Sequence, residues 1–181
     1  CTFCGSLYPA LREPNFALAL FAALNDPDLT LTMAGRGWKP FSAATKAAGQ
    51  VLGSRLVLPG PLPPAEAAAL EQDADVLLNL GNTRDEQMPS KLFTFLGSGK
   101  PILHLAASDS DPLLPFLASY PLALVLHQKD GVTPETVETL RSWLAQTRGK
   151  RIPYAEAAAL YPDYTPDVTA QKLVNGMEES L

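Results

Sequence analysis

Lys91 stands just behind a serine and ahead of an apolar run, in the stretch MPSKLFTFLGSGKPILHL from Met88 to Leu105. With Ser90 as a helix cap, a turn of about 100° per residue gathers Leu92, Phe95 and Leu96 on one side. Lys91, Thr94 and Ser98 then share the opposite face. Free backbone N–H groups and the macrodipole make a helix start electropositive. A lysine there is unfavourable by roughly a few tenths of a kcal/mol unless an anion accompanies it. Phosphate is the natural occupant, held by amide donors and an ammonium together. The plainer alternative is an exposed lysine paired with Asp85 or Glu86.

A second backbone approach lies at the start of the chain. Gly5, Ser6 and Leu7 read as a strand-to-loop turn without a bulky first side chain, and Arg12 follows a few residues later. If both turns lie along one sheet edge, two backbone approaches with a cation each suit a diphosphate better than a single phosphate. Arg12 reads equally well as one half of a surface ion pair with Glu13 or Asp28.

The elements that would position these groups alternate along all 181 residues. Strands are predicted at the start up to Gly5, at Leu29–Gly35, Arg55–Gly60, Asp75–Asn82, Pro101–Ala106 and Ala123–Gln128. Several are nearly continuous apolar runs, as strands buried on both faces require. Helices are predicted after Pro14 (with Phe16, Leu20 and Leu24 as a stripe), over 42–52, from Pro64, from Ser90, and from Thr133 to Gly149. Thr133 caps the last of these and Pro134 suits its first turn. A C-terminal helix over 163–181 begins with the same Thr-Pro device at Thr165. Such alternation predicts an α/β fold: a doubly wound, mainly parallel, Rossmann-like sheet with right-handed crossovers. Ligands bind such sheets at the carboxyl ends of the strands. Gly5, Gly35, Gly60 and Gly81 all stand there.

Composition narrows the classes. An apolar fraction of 46% with 18% charged residues fits one globular domain, and a net charge of −5 leaves no basic footprint for nucleic acid. No apolar run approaches the roughly 18 residues that span a bilayer, and no signal-peptide pattern opens the chain. Cys1 and Cys4 form a C-x-x-C, but a structural zinc site needs four ligands, so both read as small residues of a first strand. A strand that begins at once, without an initiator methionine, suggests a chain cut from something longer.

At these residues the sequence resembles the C-terminal, nucleotide-sugar-binding domain of GT-B-fold glycosyltransferases of the retaining, group 1 type. The resemblance rests on GSLYPALREP (Gly5–Pro14), PGPL (Pro59–Leu62), ADVLLNLGN (Ala74–Asn82) and PSKLFTFLGSGKPI (Pro89–Ile102), and it covers nearly the whole chain. It implies one half of a GT-B fold, with a nucleotide-diphosphate sugar as substrate rather than a separate cofactor. It also implies an acceptor, carbohydrate or lipid-linked, held by an N-terminal domain lying outside residues 1–181. Gly5 and Ser6 match the loop that approaches the phosphates, Arg12 the basic residue that follows, and Leu62 the main-chain contact to the base. Ser90 and Lys91 match the phosphate-binding helix start, and Leu92 beside them is a nucleotide-sugar-binding candidate. Such enzymes commonly carry two glutamates separated by seven residues. Glu86 matches the first, but Thr94 replaces the second, where a ribose diol would lose a bidentate acceptor. Because hydrogen bonds to charged groups exceed neutral ones by roughly 1 kcal/mol, nucleotide affinity is expected to be about tenfold lower.

The chemistry so implied is metal-independent sugar transfer in which Arg12, Lys91 and the amides at Ser90 stabilise the leaving diphosphate, with Glu86 at the sugar. The chain alone is expected to bind donor without appreciable transfer, in the cytoplasm or at the inner face of a membrane. A nucleotide-sugar epimerase of the same architecture and an inert Rossmann-like module are the alternatives. Other candidates read as structural. His104 and His127 are core or edge histidines, Trp38 packs, and Ser108–Asp111 (SDSD) is a solvated loop without calcium-loop spacing.

Overall fold

The structure, a computed structural model, describes residues 1–84, 91–165, 168 and 170. Its strands are β1 (Thr2–Cys4), β2 (Leu31–Ala34), β3 (Leu56–Gly60), β4 (Leu77–Leu80), β5 (Ile102–Ala106) and β6 (Ala123–His127). All pair parallel, in the order β3-β2-β1-β4-β5-β6. The helices are α1 (Asn15–Leu24), α2 (Ser42–Leu52), α3 (Pro64–Asp73), α4 (Lys91–Gly97), α5 (Leu114–Ala118), α6 (Pro134–Thr147) and α7 (Tyr154–Leu160). This is the doubly wound α/β sheet expected from the alternating runs.

Alternation within the strands divides the core between two faces. Leu78 and Leu80 of β4, with Leu103 and Leu105 of β5, pack with α1, α2 and Leu140 of α6. Leu77 and Ile102, one residue out of phase, join Leu92, Phe95 and Leu96 of α4, Leu117 of α5 and Ala157 of α7 on the other side. Every residue of β5 is buried, which is why its sequence lacks a polar face. The side-chain period of two thus decides which helix each residue meets.

Helix ends follow local chemistry. In α6 the Thr133 hydroxyl accepts the Thr136 amide while Thr136 Oγ1 accepts the Thr133 amide, a reciprocal capping box. Helices α5 and α7 were not anticipated. Each is short: Pro115 lies in the first turn of α5, and Pro153 is the cap residue of α7. Most of the expected 163–181 helix lies outside the described residues. Within them, Pro162–Tyr164 forms a 3-10 turn and Thr165 Oγ1 accepts the Val168 amide at 3.4 Å. No helix among the described residues is long and apolar enough to cross a membrane.

Strand order creates the crevice that matters. From β1 the chain winds outward through β2 and β3; from β4 it winds the other way through β5 and β6. The neighbouring β1 and β4 therefore diverge above their carboxyl ends, the usual ligand position in such sheets.

Candidate functional site

A hollow of about 240 Å³ opens at the carboxyl ends of β1 and β2, walled by the turn after β3 and by α3 and α4. Gly5, Ser6, Gly35, Arg36, Leu62 and Lys91 line it. Its floor exists because two loops touch backbone to backbone. A Cβ on Gly35, whose φ is +145°, would sit 1.7 Å from the Gly5 carbonyl oxygen. A Cβ on Gly37, at φ +92°, would sit 2.2 Å from the Leu7 carbonyl oxygen. Only glycine satisfies both the conformation and the approach. Between them Arg36 accepts the Leu7 amide on its carbonyl at 2.9 Å, while Gly5 donates to Ala34 and Gly35 to Gly60.

Lys91 reaches this floor from α4. Its ammonium donates to the Cys4 carbonyl at 2.9 Å and forms an ion pair with Glu71 of α3. The cation at a helix start is thus compensated within the chain by Glu71; Asp85 and Glu86, the partners considered in sequence, lie outside the described residues. Burial pushes the Cys4 thiol up to about 11, with the Glu71 charge adding to the effect. Cys4 is therefore a protonated structural thiol beneath the hollow. The second lysine of the opening stretch, Lys100, is buried and donates to the carbonyls of Glu71 (2.7 Å) and Gln72. Desolvation, then the charge of Arg151, lowers its pKa. Both lysines converge on the end of α3, where free carbonyls attract cations.

Of the residues singled out in sequence, Gly5, Ser6, Leu62 and Lys91 meet in this hollow. Arg12 stands apart: its Nε donates to Asn82 Oδ1 at 2.9 Å beyond β4, and desolvation lowers its pKa. It pairs with neither Glu13 nor Asp28; Glu13 instead accepts the Ala10 amide at 2.8 Å. Leu92 points into the core. Thr94 is exposed on α4 as Lys91 is, but it does not line the same hollow. It lines a different hollow of about 310 Å³, with Phe93, Tyr154 and Tyr161, between α4 and α7. Glu86 and Ser90 lie outside the described residues. Arg36 was missed, because GRGWKP reads as a glycine turn and no spacing signal distinguishes its arginine.

The SDSD segment departs from the solvated loop expected of it. Asp111 is buried and accepts from His104 Nε2 at 3.0 Å and from the Leu113 amide at 2.9 Å. His104 Nδ1 accepts from Asn79 at 2.8 Å, so this fully buried histidine is satisfied on both sides, as its strand position suggested. At the sheet edge, Asp109 joins His127 Nδ1 at 3.2 Å and Lys129 at 2.5 Å. Trp38 packs partly buried against the larger core cluster. Among the described residues no group of three or more His, Cys, Asp or Glu side chains gathers where a metal ion could sit.

A six-stranded parallel sheet in this order, with a glycine-floored, cation-bearing hollow at the carboxyl ends of β1 and β2, is a Rossmann-like α/β fold. Among solved structures the chain resembles that of AviGT4, a glycosyltransferase involved in avilamycin A biosynthesis, with a TM-score of 0.64 and 19% identity. The likeness covers 96% of this chain but 48% of that one, so the chain spans about half the length of its structural neighbour. No protein-family model and no curated protein matches the sequence.

Proposed function

We propose that this chain is the donor-binding half of a glycosyltransferase of the GT-B type, taking a nucleotide-diphosphate sugar at the hollow above β1 and β2. The observation that carries this reading is the meeting of Gly5, Ser6, Leu62 and Lys91 in one hollow at the carboxyl edge of the sheet. The first two leave backbone room for phosphate, Leu62 stands at the rim for the base, and Lys91 brings an ammonium. Among the described residues, two of the three N–H groups of Lys91 are engaged, by Cys4 and Glu71, which leaves one for a phosphate oxygen. Donor binding at this edge would place the glycosidic bond toward a second half that holds the acceptor. As that bond stretches, charge growing on the leaving diphosphate would be stabilised by hydrogen bonds already in place. Arg12 and Ser90 enter the reading through the family resemblance as leaving-group contacts, Glu86 as the sugar contact, and Leu92 and Thr94 as nucleotide-sugar contacts.

Titration calorimetry with uridine, guanosine and adenosine diphosphates, in chelator, tests this directly. One of them binds, and Lys91→Ala weakens it by about tenfold or more, because the variant loses a donor and leaves Glu71 uncompensated beside the phosphates. Unchanged affinity in that variant removes Lys91 from the site. A second reading, an inert Rossmann-like module, draws on the Lys91–Glu71 pair: a cation already balanced requires no ligand. Failure of all three nucleotides to bind would favour it.

A further inference from the structure

Resting on the donor-site reading above, we infer that Arg36 is the residue that recruits and grips the diphosphate, and that Lys91 is chiefly a clasp. Three observations support the assignment. Lys91 is electrically balanced by Glu71, whose side chain is only 14% exposed, so the pair contributes almost no net charge to the hollow. Arg36 also lines the hollow, and among the described residues no carboxylate forms an ion pair with it. It is the cation there whose charge remains uncompensated.

The backbone supplies the third observation. Arg36 is flanked by Gly35 and Gly37, both at positive φ and both pressed against carbonyl oxygens of the β1–α1 loop. Its own carbonyl accepts the Leu7 amide. An exposed side chain on an ordinary turn would need none of this. Two positions that only glycine can fill and a fixed hydrogen bond over-determine where the arginine's Cα stands, beside Gly5 and Ser6. The guanidinium is also better suited than an ammonium to the task. Its planar fork donates two parallel hydrogen bonds to the oxygens of one phosphate, or spans two phosphates, without depending on a proton that titrates. Discrimination follows from this geometry. A nucleoside diphosphate or inorganic pyrophosphate engages the fork, whereas a nucleoside without phosphates does not.

The test compares the wild-type chain with Arg36→Gln by calorimetry, using inorganic pyrophosphate and whichever nucleoside diphosphate binds, at low and moderate salt. Arg36→Gln is expected to weaken both ligands by about tenfold or more and to flatten the dependence of affinity on salt. Thermal unfolding of the variant should match wild type, because the side chain it alters is exposed. A loss smaller than about threefold overturns the role of Arg36 while leaving the donor site standing. A wild-type chain that binds neither ligand overturns both.

Discussion

At Asp111 burial and hydrogen bonding act in opposite directions on one carboxyl group, and the bonds prevail. Desolvation alone would raise its pKa; the bond from His104 and the Leu113 amide more than offset this and hold it below the ordinary value. A group whose folded pKa is depressed contributes stability that is present above its unfolded pKa of about 3.9 and is lost as pH falls through the folded value. Asp111→Asn should therefore cost about 2–3 kcal/mol at pH 7 in urea unfolding, and the gap to wild type should narrow below about pH 4. A gap constant from pH 7 to pH 3 would show that the charge is immaterial. The network also explains why this acidic loop looked solvated in sequence: its partners, His104 and Asn79, belong to neighbouring strands.

At the scale of elements, two glycines of opposite character show how the loops are set. Gly35 has no room for a side chain, because the Gly5 carbonyl occupies the position a Cβ would take. Gly35→Ala should cost roughly 2–4 kcal/mol and degrade the hollow with it. Gly49 in α2 has nothing within 4 Å of its missing Cβ, so Gly49→Ala should stabilise by about 0.5–1 kcal/mol. Urea unfolding of the two variants should give shifts of opposite sign; a stabilised Gly35→Ala would mean the loops do not touch. What the sequence could disclose at this scale follows from locality. Strands buried on both faces announce themselves as apolar runs, and α1 and α6 carry their own stripes or caps. Helices α5 and α7 stayed hidden because both are short and a proline at or just before a helix start looks like a proline in a loop. The site was only partly legible for the same reason. Gly5, Ser6, Leu62 and Lys91 stand at strand or helix ends that local pattern can locate. The partners of Lys91 lie 20 and 87 residues away, and only the folded sheet brings them there.

At the scale of the whole molecule, the net charge of −5 and the small cationic hollow are complementary rather than contradictory. An acidic surface disfavours extended polyanions, while one uncompensated guanidinium in a concave, glycine-floored recess still attracts a compact anion at short range. The fold places that recess at the carboxyl ends of β1 and β2, next to the crevice between β1 and β4. The likeness to AviGT4 runs over 96% of this chain and 48% of that one, so the chain has the extent of about half of that structure.

Helix α3 has no buried side chain along its length, yet it forms one wall of the recess. Its attachments are mostly electrostatic: Glu71 to Lys91, and the carbonyls of Glu71 and Gln72 to the ammonium of Lys100. A wall fastened by charges rather than by oil can loosen without the rest of the sheet melting. Amide hydrogens of α3 should accordingly exchange well before those of α1, whose apolar side chains are sealed in the core, and raised salt should widen the difference. Equal protection of the two helices would mean that the lysine tethers hold as firmly as packing does.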